Sequence, residues 1–273
     1  MVSAAINIPL KESNYSGDGV MAIEVFNRTE KKFIITDEIY RVIKPQLEEY
    51  MEPDSYSRNG DFYTICNIYY DTPDHAIIRK SIEKPAFKEK LRLRSYGVVS
   101  VSDKVYLEIK KKCNSQVNKR RTSLSLREAY QYIEEHQRPI AKKKLGEQIL
   151  SEVDYFLLRY PDLAPALYLS YDRDAMFGKE DQSFRVTFDT NIRTRRYDLG
   201  LERGNYGELL LPEGFWIMEA KMKEAAPLWF AKLLSNYQIY STTFSKYGEE
   251  YKQALRQGDV VIAKLMNNKT MSV

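Results

Sequence analysis

"KLRLRSYG" (residues 90–97) and "VYLEIKKK" (105–112) decide how this chain folds. In the first stretch Lys90, Arg92 and Arg94 alternate with Leu91, Leu93 and Ser95; in the second, Glu108, Lys110 and Lys112 alternate with Leu107 and Ile109. Side chains on a strand point to its two faces in turn, so each stretch reads as a strand with one charged face and one apolar face. Turn sequences such as "GVVSVSDK" and "CNSQV" separate these strands from each other and from 117–124, which makes an antiparallel meander the economical connection.

The same alternation recurs along the chain. Arg28, Glu30 and Lys32 share a face, as do Lys119 and Arg121, then Arg185, Thr187 and Asp189, then Glu219, Lys221 and Lys223. In the last two segments the other face is apolar: Phe184, Val186 and Phe188, then Trp216, Met218, Ala220 and Met222. For any single strand, a solvated sheet face explains the pattern. That explanation predicts mixed signs, because like charges opposite each other across strands are destabilising. With Arg173 and Lys246 added, thirteen basic residues face only Glu30, Glu108, Asp189 and Glu219, in a chain of formal net charge +4. A sheet curled with these sides inward makes a lumen lined by cations, its outer face buried under helices. Enclosure focuses the field, and arginine forks and lysine point charges suit phosphate. A few carboxylates among them suit a divalent metal that bridges phosphates. The pattern implies a tunnel for polyphosphorylated ligands.

Composition narrows the remaining classes. The chain has 273 residues, 43% hydrophobic and 29% charged, enough for one large domain or two small ones. Twenty-one tyrosines and eleven phenylalanines favour strands. Cys66, Cys113, His75 and His136 form no CxxC or HExxH spacing, which argues against zinc. The two cysteines fit a reducing cytosol. "MVSAAINIPLKESNYSGDG" lacks the cationic start and apolar run of a signal peptide, and no stretch reaches the roughly 18 apolar residues of a membrane span. A cytoplasmic chain is expected.

Residues 1–20 read as a mobile leader, 21–257 as one domain and 258–273 as a tail. Strands are expected at 22–36, 61–72, 88–97, 104–112, 117–124, 166–177, 183–190 and 215–222. Helices are expected at 37–51, bent near Pro45, and at 74–84, 125–136, 146–159, 227–237 and 247–257. Strands outnumber helices and the helices fall between groups of strands, which predicts an α+β fold: an antiparallel barrel-like tunnel with helices packed outside. Asp71 in "YYDTPD" suits a turn or helix cap. Tyr69 and Tyr70 read as core and rim aromatics, and His75 and His136 as surface residues. The clusters at 142–144 and 193–196 read as solvated faces, with Arg193, Arg195 and Arg196 as alternatives for a tunnel mouth.

"RTEKKFII", "IYYDTPD", "KLRLRSY", "LEIKKK", "NKRR", "YDRDAM", "RVTFDT", "IMEAKM" and "FSKY" occur in the order found in VTC domains. The chain therefore resembles, from about residue 24 to 250, the polyphosphate polymerase domains of the vacuolar transporter chaperone complex, members of the triphosphate tunnel metalloenzyme superfamily. The resemblance implies transfer of the γ-phosphate of ATP to inorganic polyphosphate inside the tunnel. By that resemblance Arg92, Arg94, Arg173, Arg185 and Lys32 act on the reacting phosphates, and Arg28, Lys110, Lys119, Arg121, Lys221, Ser245 and Lys246 bind substrate. It also implies that Glu219 holds Mn²⁺ or Mg²⁺, with Glu108 and Glu30 as further ligands. Only Glu30 remains of the two acids in the ExExK pattern of many superfamily relatives, and Thr243 stands where some members have a lysine. On local charge alone Glu108 is equally a counter-ion for its lysine and arginine neighbours. A hydrolase of triphosphate or polyphosphate and a non-catalytic binder of polyphosphate or inositol phosphates stay open as rivals. Nucleic acid is not an expected partner, and a separate membrane partner is.

Overall fold

The alternation of the two opening stretches is realised as pairing: Arg92 stands opposite Glu108, Lys90 opposite Lys110 and Lys88 opposite Lys112. The structure, a computed structural model, describes residues 29–57, 62–114, 116–141 and 144–260. In chain order its elements are β1 (Thr29–Thr36), α1 (Asp37–Glu48), β2 (Met51–Pro53), β3 (Tyr63–Asp71), α2 (Ala76–Ile82), β4 (Phe87–Tyr96), β5 (Lys104–Cys113) and β6 (Gln116–Ser125). There follow α3 (Leu126–Glu134), α4 (Lys144–Arg159), β7 (Ala164–Gly178), β8 (Arg185–Arg195), β9 (Glu208–Leu209), β10 (Phe215–Met222), α5 (Leu228–Asn236) and α6 (Lys246–Gln257).

One antiparallel sheet runs β1-β10-β8-β7-β3-β4-β5-β6, with β2 added to β7 and β9 to β8. Among the described residues β1 and β6 do not pair, so the barrel-like sheet is curled rather than closed by hydrogen bonds. The curl brings its far ends within electrostatic reach: Lys110 on β5 feels the charges of Glu30 and Lys32 on β1 and Glu219 on β10.

Register places the alternating charges on the concave face. Lys32 lies opposite Glu219, Glu219 opposite Thr187, Arg173 opposite Asp189, and Glu108 between Arg92 and Arg121. The convex face is apolar and doubly covered. Phe33, Ile35, Val186, Phe188, Trp216 and Met218 pack with Ile43 and Leu47 of α1 and Phe230 and Leu233 of α5. Leu91, Leu93, Leu107 and Ile109 pack with Ala129 and Ile133 of α3 and Leu150, Val153 and Phe156 of α4. Each such side chain, fully buried, contributes about 2 kcal/mol.

The sixth helix departs from the expectation that all helices pack outside. Tyr247, Tyr251 and Ala254 of α6 pack against Ile65, Leu167, Leu169, Ile192 and Ile217, which lie on the concave side and form a third cluster. This helix fills one end of the concavity. A bulge makes room for it: β7 takes two steps from Ser170 to Asp172 while β8 takes three from Thr190 to Arg193, with Asn191 in the left-handed region at φ 47°. Asparagine tolerates that conformation. The extra residue lets odd-numbered Asp189 and even-numbered Ile192 share the concave face.

Other differences are local. Helix α1 continues through Pro45 to Glu48 instead of running to residue 51. The ring removes only the N–H that would bond the carbonyl of Arg41, an exposed residue on the solvent side of the helix. Strands β2 and β9, of three and two residues, are too short to show a period and were not expected. The strand expected at 22–36 is described from Thr29; residues 22–28, Arg28 included, the leader at 1–20 and residues 261–273 of the tail lie outside the described residues. Among the described residues no helix is long and apolar enough to cross a membrane.

Asp71 acts as a cap. Buried at the end of β3, it accepts hydrogen bonds from the backbone N–H groups of Ile77 and Ile78 in α2, at 2.9 and 3.0 Å, and from the Tyr247 hydroxyl of α6 at 2.9 Å. Asp71→Ala orphans two helix-terminal donors and a buried hydroxyl, and is expected to cost about 3 kcal/mol in the urea unfolding free energy. A loss under about 0.5 kcal/mol would show that water replaces the carboxylate.

Candidate functional site

Three arginines on the concave face are pinned in the same way. Arg92 donates from Nε to Glu108 at 2.7 Å, its Nη2 lies 2.6 Å from the same carboxylate oxygen, and Nη1 donates to the Tyr69 hydroxyl at 3.1 Å. Arg94 donates from Nε to Asn67 Oδ1 at 2.9 Å and from Nη2 to the Tyr171 hydroxyl at 3.4 Å. Arg173 donates from Nε and Nη2 to the two oxygens of Asp189, at 2.6 and 2.8 Å. Glu108, Asn67 and Asp189 are all buried, at 1% exposure or less. The Asn67 amide is itself oriented, since Nδ2 donates to the Leu169 carbonyl at 3.0 Å. A guanidinium has five donors in a rigid fork. Holding it at Nε leaves outer Nη hydrogens for a ligand and fixes where they point.

Lysines complete the cage. Lys119 Nζ lies 3.1 Å from Glu108, and Lys246, the first residue of α6, lies 2.6 Å from Asp189 with its ammonium 4.5 Å from the centre of the Tyr171 ring. Tyr171 thus touches Arg94, Lys246 and Arg173, whose guanidinium is 5.1 Å from the ring centre, and joins two ion-pair groups into one site. A third group surrounds Glu219, with Lys221 at 2.6 Å and Lys32 at 3.7 Å; Lys32 is also 3.3 Å from Glu30 and donates to the Phe244 carbonyl. Arg185 pairs with Asp54 at 3.5 Å and stacks on Phe177, while its buried Nε has no hydrogen-bond partner among the described residues. Arg121 lies over the Tyr106 ring.

The cations depress one another. Burial, with Arg92 and Arg94 close by, lowers Lys119 to about 7 against the pull of Glu108. Lys119 nevertheless keeps 41% of its side chain open to solvent. Both hold because it lines the wall of a water-accessible concavity. Burial and the lysines Lys88 and Lys110 bring Lys90 to about 8 against the pull of Tyr69. Burial pushes the Tyr69 phenol up, but Arg92, Lys90 and Arg94 overcome it and bring it to about 8. The carboxylates respond the other way: against the cost of burial, Arg92, Arg94 and Lys119 hold Glu108 at about 2, and Arg173 and Lys246 hold Asp189 at about 2. Lys221, Lys32 and Lys246 hold Glu219 far below the usual carboxylate range.

The structure brings Lys32, Arg92, Arg94, Lys119, Arg173, Glu219, Lys221 and Lys246 around one space, with Lys110 within electrostatic reach and Arg121 and Arg185 on its tyrosine-lined side. Ser245 is exposed, and its hydroxyl caps α6 by accepting from the Gly248 N–H at 3.3 Å. Glu108 spends its charge on Arg92, Arg94 and Lys119, the counter-ion arrangement. Among the described residues no three Asp, Glu, His or Cys side chains converge on one point. Glu219 with Glu30, joined through Lys32, is the carboxylate pair left to meet a metal.

Asn67, Tyr69 and Tyr171 escaped sequence reasoning as site residues. The signal for Asn67 was available: an amide in the middle of the apolar run "TICNIYY" demands a polar partner when buried. Arg195 is not on a solvated face. It is buried against the Tyr168 ring and donates to the carbonyls of Asp198, Gly200 and Tyr206, holding a loop. Arg193 pairs with Asp172, and Arg196 forms a two-pronged pair with Glu250. His75 is half-buried beside Tyr251 rather than fully on the surface.

Two outcomes follow from this electrostatic arrangement. A polyanion raises the pKa of Lys119 and Lys90, so binding of ATP without metal is expected to take up protons and weaken as pH rises from 7 to 9. Above pH 7 the charge of ATP is nearly constant, since it carries a single terminal phosphate and such groups titrate near 6. Calorimetry in buffers of different ionisation enthalpy measures the uptake; affinity flat across that range would contradict it. Asp189→Asn leaves Arg173 and Lys246 without their buried counter-ion. Stability is expected to fall by about 3 kcal/mol while equilibrium tripolyphosphate binding tightens, because a negative charge has left the cage.

The family model described as the VTC domain matches residues 27–255. Vacuolar transporter chaperone complex subunit 4 of Trypanosoma cruzi (strain CL Brener) is 24% identical, over 90% of this chain and 36% of its own length. This chain therefore spans little more than a third of that relative. Among solved structures, a candidate adenylate cyclase from Bacillus halodurans shares the fold at a TM-score of 0.50 and 16% identity, covering 79% of this chain and 92% of its own. A Hippeastrum protein, described as an adenylyl cyclase candidate with a dominant triphosphatase activity, has a TM-score of 0.47 at 13% identity over 84% of this chain and 95% of its own. With its concave cationic face and a family match over most of its length, the chain belongs to the VTC domain family.

Proposed function

We propose that this chain is a metal-dependent polyphosphate polymerase that transfers the γ-phosphate of ATP to inorganic polyphosphate. The carrying observation is the set of three arginines, each pinned through Nε by a buried acceptor, around a solvent-accessible concavity that also holds Glu219. Phosphoryl transfer asks little covalent chemistry of a protein; it needs the reacting oxygens in line and charge stabilised on the transferred group. Arg92, Arg94, Arg173 and Arg185 grip the β- and γ-phosphates, and Lys32, Lys110, Lys119, Arg121, Lys221, Ser245 and Lys246 bind the rest of the phosphate run. Because the forks are fixed before substrate arrives, little reorganisation accompanies the reaction.

A terminal oxygen of bound phosphate or polyphosphate attacks the γ-phosphorus. A new P–O bond forms there, the β–γ bridging bond breaks, and ADP leaves with the bond's electrons. Glu219 and Glu30 would hold Mn²⁺ or Mg²⁺, a choice their chemistry supports: such ions take oxygen ligands, one or two carboxylates beside phosphates. The bound ion neutralises charge on the triphosphate. Glu108 stays with its arginines. The protein works in the cytoplasm, at the inner face of a membrane when a separate partner recruits it.

Water in place of the acceptor would make the same cage a triphosphatase, since none of its contacts reports on the acceptor. Incubation with ATP and Mn²⁺, followed by gel electrophoresis of the phosphate products, separates the readings. ADP with long chains is the expected result; free phosphate without chains means hydrolysis, and neither means a binding module. Arg94→Ala is expected to slow turnover on the order of 10³-fold, as loss of an arginine finger does. Undiminished turnover in Arg94→Ala or Glu219→Gln would remove these roles.

A further inference from the structure

Asn67 sits between two strands of the sheet. On β3 it stands opposite Arg94 of β4 on one side and Leu169 of β7 on the other, and it is wholly buried. Both ends of its amide are used: Oδ1 accepts from Arg94 Nε at 2.9 Å, and Nδ2 donates to the Leu169 carbonyl at 3.0 Å. A carbonyl oxygen only accepts, so the side chain at position 67 has to donate to it; a carboxylate there would set two acceptors against each other. The position is built for a neutral amide.

That neutrality separates Arg94 from the other two pinned arginines. Arg92 has Glu108 at 2.6 Å, and Arg173 has Asp189 at 2.6 Å. Arg94 is the most enclosed of the three, with 9% of its side chain exposed against 21% for Arg92 and 11% for Arg173. Yet both its hydrogen-bond anchors, the Asn67 amide and the Tyr171 hydroxyl, are uncharged. Among the described residues the one carboxylate within ion-pair distance is Glu108, at 3.9 Å, through an oxygen that already meets Nε and Nη2 of Arg92. A buried cation without a full counter-ion is costly unless a ligand supplies the missing charge.

We infer that Asn67 is a positioning residue whose neutral amide aims Arg94 while leaving its charge for the ligand, and that it thereby sets the affinity of the cage for a triphosphate. The inference rests on the cage holding a triphosphate. A carboxylate at this position would hold the guanidinium fork as well, but it would cancel the charge, as Glu108 and Asp189 partly do for Arg92 and Arg173. The acids keep the cations from driving the strands apart, and the amide leaves one guanidinium unspent. Of the three pinned arginines, Arg94 then attracts phosphate most strongly, because its Coulomb energy is shared least with a buried acid.

The test is calorimetric binding of metal-free tripolyphosphate at one pH and one salt concentration, with urea unfolding of each protein. Asn67→Asp is expected to bind about thirtyfold more weakly than wild type, the effect of one unit charge about 8 Å from the ligand at a protein-like dielectric. Asn67→Leu, which frees the fork without adding charge, is expected to lose about tenfold. Stability is expected to run the other way: Asn67→Asp unfolds at no lower urea concentration than Asn67→Leu, because Arg94 has gained a counter-ion. In an Arg94→Ala background, Asn67→Leu is expected to change affinity by less than about twofold, since the amide acts through that arginine. A merely structural role would order affinity and stability together and would not depend on Arg94. The inference is overturned if Asn67→Asp binds as tightly as wild type, or if the Asn67→Leu loss persists undiminished without Arg94. Should Asn67→Leu fail to fold, Asn67→Asp decides alone. Wild-type protein that does not bind tripolyphosphate would sink the reading of the cage itself; no turnover is measured, so a polymerase and a hydrolase give the same result.

Discussion

Buried carboxylates make the cationic concavity possible. Two unit charges 4 Å apart interact by about 4 kcal/mol at a protein-like dielectric, so arginines and lysines this close would drive the strands apart. Glu108 and Asp189, nearly or wholly out of contact with water, sit under the arginines and absorb that repulsion. Each is held ionised well below the usual carboxylate range, and each takes two or three cations, leaving an excess of positive charge for a ligand. The same contacts aim the guanidinium forks. Neutralisation and positioning are here one device.

The last helix connects this device to the rest of the fold. Lys246 opens α6 and pairs with Asp189, and Tyr247, next in sequence, hydrogen-bonds the Asp71 carboxylate that caps α2. Further along, Tyr251 and Ala254 bury apolar surface inside the concavity. Displacing α6 would therefore disturb a cation of the site, a helix cap and one of the three cores together. The concave face is thereby divided into an apolar part filled by a helix and a charged part left open, with helices α1, α3, α4 and α5 supporting the sheet from behind.

Much of this was legible beforehand. The two-residue period of a strand does not depend on what the strand packs against, so the sharing of a face by Lys90, Arg92 and Arg94, or by Glu219 and Lys221, followed from order alone. The apolar backs of the strands at 184–188 and 216–222 were equally plain, and both lie in the core under α1 and α5. Asp71 before Thr72-Pro73 announced a cap for the same reason: its bonds to the α2 backbone are to residues six and seven positions on.

Pairing was not legible, because it joins segments far apart in the chain. Which acid meets which base, Asp189 with Lys246 or Glu219 with Lys32, depends on the curl of the sheet and on one extra residue in β8. The roles of Asn67, Tyr69 and Tyr171 depend on strand neighbours 23 or more residues away. The inward placement of α6 depends on a helix whose apolar stripe suits either side of the sheet. Local periodicity thus determined the faces, since it is a property of the backbone; the partners across each face were decided by sheet curvature, since electrostatic and hydrogen-bond energies depend on distances that order along a chain does not specify.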